Sequence, residues 1–136
     1  MTMYDASIVE RMMAADDASR ALGIELVAHA DGRATTRLTV RADHLNGYRV
    51  AHGGVVFALA DTAFAAACNS RRATVAAAAE IVFVAAARAG DVLTADAAER
   101  TVFGRSGIYD VTVRREDGAV VAEFRGRSHA VPELSG

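Results

Sequence analysis

The segment His52-Gly53-Gly54 and the run VVFALADTAFAAACNS that follows it constrain the chain more than any other stretch. Residues 54 to 69 hold too much Ala, Leu and Phe over too long a span for a typical strand. They predict a helix of about 16 residues, roughly 24 Å long at the standard rise. That helix lacks a clear polar face, so other parts of the protein must enclose it. Alanines at 58, 60, 63, 65, 66 and 67 allow close packing, and Phe57 and Phe64 are large enough to fill the wider gaps. One carboxylate, Asp61, stands in the middle of the run. Its neighbours three and four positions away are Phe57, Ala58, Phe64 and Ala65, which offer it neither a cation nor a donor side chain. Burying that charge without partners costs several kcal/mol or forces protonation, so its partners have to come from outside the helix.

The remaining chain reads as material to wrap such a helix. Residues 5 to 22 predict one amphipathic helix, with Asp5 as its cap, Gly23 at its end, and Ile8, Val9, Met12 and Met13 on its apolar face. Residues 24 to 30 and 33 to 42 predict two strands joined by the hairpin signal Asp31-Gly32. In the second, Ala34, Thr36, Leu38 and Val40 alternate with Arg33, Thr35, Arg37 and Thr39, which leaves one sheet face wet. Beyond the long helix, TVAAAAEIVFVAA, DVLTADAAERTVF, SGIYDVTVRRE and AVVAEFRGRSHAV predict four more strands. Period-2 alternation in the last of these favours an antiparallel sheet with one packed face. With no repeat, no low-complexity linker and a single proline, residues 1 to 136 are read as one α+β domain.

Composition narrows the functional classes. Fifteen basic against 17 acidic residues give a formal net charge of -2, which offers no broad attraction for nucleic acid or an anionic membrane. The lone Cys68 provides no internal disulfide and no zinc-ligand spacing. The N-terminal residues lack both a basic start and a continuous apolar segment, so no signal peptide or membrane span is expected, and the expected compartment is the cytoplasm.

Two readings of Asp61 stand at this point. It is either a structural carboxylate paired with an arginine or backbone donors, or a catalytic base or nucleophile. His52-Gly53-Gly54 at the start of the same helix favours the second. Backbone N–H groups there lack helical partners and sit at the positive end of the dipole, and glycines admit a carbonyl oxygen closely. Those are the requirements of an oxyanion hole.

The succession LNG, HGG and FALADTAFAAACNS closely resembles the phenylacetate-degradation (PaaI-type) family of hotdog-fold thioesterases, and ALGIELV, GIYDVTV and FRGRSHAV are similar to it too. The resemblance covers roughly residues 20 to 130. It implies a hotdog fold, a long central helix wrapped by a curved antiparallel sheet, with dimers joined through their sheets and often paired into tetramers. It also implies hydrolysis of acyl-coenzyme A thioesters without metal or redox cofactor, the acyl group being a small aromatic acid. Carried over by position, it makes Asp61 the catalytic carboxylate, Gly53 the donor to the thioester oxygen, and His52 and Asn46 the residues that orient the site. Gly54 and Thr62 fall on the substrate side. Arg71, Arg72, Arg105 and Arg127 are the candidates for coenzyme A phosphates, because guanidinium pairs well with phosphate. Tyr48, Phe57 and Phe64 are candidates for an acyl pocket. Where members of the family often place Ser or Thr on the strand after the helix, this chain has alanines from 76 to 79.

Helix geometry adds one expectation that does not depend on the family. Gly53 and Asp61 are about two turns apart, roughly 12 Å along a straight helix, so they cannot both reach one carbonyl. They can cooperate only across a twofold dimer with antiparallel helices, which predicts two composite sites. The rival readings are an aliphatic acyl-coenzyme A thioesterase, a non-catalytic acyl-coenzyme A binding module, a scaffolding oligomer and a hydratase.

Overall fold

Alternation decides which side of a half-buried strand faces the core, and in the computed structural model, which describes residues 3 to 132, the second strand follows it closely. Strand β1 (Glu25–Ala30) turns at Asp31-Gly32 into β2 (Arg33–Thr39), with Gly32 in the left-handed region at φ 70°. On β2, Ala34, Thr36 and Leu38 are buried while Arg33, Arg37 and Thr39 face solvent. After α3 (Gly53–Cys68) come β3 (Thr74–Phe83), β4 (Val92–Phe103), β5 (Ser106–Arg115) and β6 (Val120–Ala130). The six strands form one antiparallel sheet in the order β1-β2-β4-β5-β6-β3, so β1 and β3 are its edges. Register shifts in β1, β3, β4 and β6 mark bulges, which bend a sheet and increase its twist. The curved face holds α3, whose Leu59 and Phe64 pack with Leu38, Leu93, Val111 and Val113. Gly126 on β6 makes room for the helix: a Cβ there would stand 2.7 Å from the Phe64 ring, closer than any side chain tolerates.

Three details depart from the sequence reading. The expected helix at 5 to 22 is two helices, α1 (Ala6–Ala14) and α2 (Asp17–Leu22). Asp5 does cap the first and Gly23, at φ 80°, does end the second, but Asp16 interrupts the run. Its carboxylate accepts the Ser19 N–H at 2.9 Å and the Ser19 hydroxyl at 2.6 Å, starting a new helix there. The second strand ends at Thr39 instead of 42, because Ala42–His44 forms a 3-10 turn. Finally, the sheet does not enclose α3 completely. Gly54, Ala58, Asp61 and Ala65 repeat at helical spacing and remain at least partly exposed, leaving an open strip along the helix with the carboxylate in it.

Candidate active site

The loop before α3 is held from several sides. The Asn46 carboxamide oxygen accepts the N–H groups of Tyr48 at 2.9 Å and Val50 at 3.3 Å, closing a tight loop. The left-handed residue in that loop is Arg49, at φ 61°, and not the glycine of the Asn46-Gly47 pair. A bulky residue in that region costs roughly 1–3 kcal/mol, so the surrounding bonds must impose the conformation. Those bonds include Ala51 N–H to the Ala87 carbonyl at 2.7 Å and His52 N–H to the His44 carbonyl at 2.8 Å. The loop therefore delivers the helix start in a fixed orientation.

At that start, His52 is the N-cap: its Nδ1 accepts the Gly54 N–H at 2.8 Å, which puts the ring proton on Nε2. The His52 carbonyl accepts from Val55 and Val56. Among the described residues, no acceptor meets the N–H of Gly53, the first helical residue. The Asn46 Nδ2 has no acceptor among them either. Both residues line a cavity of about 370 Å³ with Val50, Val56, Phe83 and Val121. The chain thus offers two unclaimed donors to one apolar space at the positive end of α3.

Asp61 does not line that cavity. It lies farther along the open strip, and among the described residues its carboxylate has no hydrogen bond and no ion pair. Burial pushes its pKa up, and the neighbouring negative charge of Asp16 adds to the shift. Among the described residues, then, no other segment supplies the expected partners, and the neighbouring charge of Asp16 is repulsive. Such a carboxylate is poised to take up a proton.

The other candidates separate. Thr62, expected on the substrate side, turns toward α2: its hydroxyl donates to the Ala58 carbonyl at 2.8 Å and meets the Ser19 hydroxyl at 3.0 Å. Arg71, Arg72 and Arg105 line a second cavity, of about 660 Å³, beside Cys68 at the far end of α3. Arg71 is already held there, by Asp31 at 2.6 Å and by both oxygens of Glu99 at 2.8 and 3.2 Å. Arg72 donates once, to the Gly104 carbonyl, and is otherwise exposed like Arg105. Phe57 and Phe64 pack on Phe124 in the core, and Tyr48 is 90% exposed. Burial pushes the Cys68 thiol up to about 12, so the one cysteine is protonated and unreactive at neutral pH.

Two residues near the site escaped the sequence reading. His44 is 2% exposed, its Nδ1 accepts the Arg41 N–H at 2.9 Å, and its carbonyl orients His52. Its Nε2 is buried without a partner among the described residues. Phe83, at the end of β3, lies against Gly53. Neither belongs to a local motif, since each reaches the loop by tertiary contact.

Comparison with known proteins places this geometry. The thioesterase superfamily model matches residues 48–122. The acyl-coenzyme A thioesterase PaaI of Escherichia coli is 44% identical over 117 residues, covering 85% of this chain and 84% of that protein. A solved structure of the Escherichia coli PaaI protein from the phenylacetic acid degradation operon superposes with a TM-score of 0.91, at 41% identity over 94% of both chains. The TT0310 protein from Thermus thermophilus superposes with a TM-score of 0.83, at 39% identity over 85% of this chain and 98% of that one.

Proposed function

The chain belongs to the PaaI-type branch of the thioesterase superfamily and is a thioester hydrolase; from that premise we propose that its substrates are small aromatic acyl-coenzyme A thioesters. These are phenylacetyl-coenzyme A or hydroxylated and ring-modified derivatives, cleaved to free acid and coenzyme A in aromatic catabolism. Support for the acyl class comes from the relatives' phenylacetate context and from the apolar cavity at Gly53. Its volume lies within the roughly 300–1,000 Å³ usual for small-molecule sites.

The observation that carries the mechanism is the unpartnered Asp61 together with the unclaimed Gly53 N–H. The thioester oxygen rests on the Gly53 N–H, assisted by the Asn46 amide, and is polarised by the helix start. Asp61 takes a proton from water as the oxygen of that water bonds to the carbonyl carbon. The negative charge gathers on the carbonyl oxygen, then returns to expel the coenzyme A thiolate, which is protonated. In the alternative covalent route Asp61 attacks the same carbon and expels the coenzyme A thiolate, and water then hydrolyses the mixed anhydride to the free acid and the regenerated carboxylate; both routes use the same donor and the same carboxylate. His52 positions Gly54 and the start of α3, and Gly54 keeps the approach open. Arg72 and Arg105 are the cations available for coenzyme A phosphates, while Arg71 braces the wall beside them through Glu99 and Asp31.

Because one helix cannot bring Gly53 and Asp61 to the same carbonyl, the site is completed by a second copy of the chain, in a homodimer that pairs further into a homotetramer. The open strip on α3 and the exposed edge strand β3, with Val75 and Val82 outward, support that assembly. The test is thiol release from phenylacetyl-, hydroxyphenylacetyl-, benzoyl-, butyryl- and palmitoyl-coenzyme A. Aryl substrates should have the highest kcat/KM. Faster turnover of aliphatic chains would replace the acyl class, and binding without any thiol release would replace catalysis with a binding role.

A further inference from the structure

Phe83 is the last residue of β3 and is 54% exposed, an unusual position for a large aromatic ring. Its Cζ stands 3.1 Å from where a Cβ on Gly53 would be, so the ring lies directly on the glycine whose N–H is unclaimed. The backbone that follows Phe83 is also tied down. Val84 and Ala85 donate their N–H groups to the Val121 carbonyl at 2.8 and 3.2 Å, and Ala51 donates to the Ala87 carbonyl at 2.7 Å. Those bonds tie residues 84 to 87 to both β6 and the loop that ends at Gly53, so the backbone next to Phe83 and the backbone of the donor are held together.

Phe83 is the single aromatic residue among those lining the 370 Å³ cavity; apart from Asn46 and Gly53, the other walls are valines and alanines. We infer that Phe83 determines acyl specificity: its exposed face is the surface against which an aryl acyl group packs while the thioester oxygen rests on the Gly53 N–H. The inference rests on the aryl-thioesterase reading above and deepens it by naming the side chain that recognises the ring. Offset-stacked or edge-to-face aromatic pairs contribute beyond the area they bury, enough for about twofold to tenfold discrimination. A saturated ring of similar size buries similar area but lacks that contribution.

The test therefore compares phenylacetyl-coenzyme A with cyclohexylacetyl-coenzyme A, using the wild type and Phe83→Leu. Each kcat/KM is read from thiol release, and sedimentation velocity records the association state. The wild type should prefer the aryl substrate by about twofold to tenfold, and the preference should vanish in the variant. Because the readout is a ratio within one protein, a general loss from weakened folding or subunit pairing cancels. If Phe83→Leu does not fold, Phe83→Ile, whose branched aliphatic side chain suits a strand end and has no special affinity for an aryl ring, carries the same measurement. Equal kcat/KM values in the wild type, or a preference that survives loss of the ring, would overturn the inference and leave thioester hydrolysis standing. A wild type that cleaves hexanoyl-coenzyme A but neither ring substrate would overturn the aryl reading and this inference together.

Discussion

A carboxylate in the middle of an apolar helix is visible in any sequence, but the direction it faces is not. Helical neighbours of Asp61 can be enumerated from spacing alone, and that count correctly leaves it without a local donor. Only the fold reveals that no other described segment supplies one and that Asp16 stands nearby instead. Arg71 illustrates the converse: a cation suited to phosphate by type is claimed by Asp31 and Glu99, partners too distant in sequence to be foreseen. Replacing Asp61 by Asn, which keeps the size and removes the proton acceptor, should lower kcat by about a hundredfold or more, measured by thiol release. Stability should move the other way. The folded-state pKa of Asp61 lies above its unfolded value, so the favourable contribution of the protonated form is complete below the unfolded value, near pH 4, and is lost as pH rises through the folded pKa. At pH 7 the charge opposes folding. Asp61→Asn should therefore melt at or above the wild-type temperature at pH 7, with the difference closing toward about pH 4. The acid limb of the wild-type kcat/KM profile should likewise fall above the ordinary aspartate range; a limb within or below that range would exclude Asp61 as the titrating base.

At the scale of elements, legibility followed periodicity. Alternation on β2 and β6 identified the buried residues, and His52-Gly53-Gly54 located the long helix to within one residue of its observed start. What periodicity could not register was a cap inside a run of otherwise helical residues. Asp16 and Asp17 look like solvated surface in the sequence, yet Asp16 bonds Ser19, divides the segment and brings its charge toward Asp61. The curvature of the sheet was equally hidden, because bulges on four strands arise from pairing and not from composition. The position of Asp16 makes the N-terminal helices part of the electrostatics around Asp61, and this can be separated from their structural role. Asn caps a helix about as well as Asp, so Asp16→Asn should retain the melting temperature while moving the acid limb of kcat/KM to lower pH. The movement should be partial, since burial is the larger cause of the raised Asp61 pKa. Asp16→Ala should also lose about 1 kcal/mol of stability as the cap disappears, measured by denaturant unfolding. An acid limb unmoved in Asp16→Asn would show that this charge does not reach Asp61 in the working enzyme.

For the whole molecule, the proposed pairing of Gly53 with Asp61 turns on whether the two come from one chain or from two. The Gly53 end of α3 carries donors without an acid, and the middle of α3 carries an acid without donors. Packing two chains with their helices antiparallel and the open strips together brings each Asp61 toward the other chain's Gly53, and symmetry makes two equal sites. The alternative, a site complete within each chain, would require a sharp bend in α3, yet residues 53 to 68 form one continuous helix. Two individually inactive variants distinguish these arrangements. Asp61→Asn lacks the acid, and Gly53→Pro lacks the N–H at a first helical position, where proline is otherwise well tolerated. The added ring atoms must displace Phe83, whose nearest carbon lies 3.1 Å from the Cβ position, so circular dichroism and sedimentation should first establish that the proline variant folds and associates. In a heterodimer of the two, one site combines the intact Gly53 of the first chain with the intact Asp61 of the second, and the other site is doubly defective. Random reassortment of equal amounts makes half of the dimers mixed, each with one working site of two, so activity should return to about a quarter of the wild-type value. Were the site complete within one chain, every chain in the mixture would remain defective. Folded mixed dimers that stayed inactive would therefore count against the composite site.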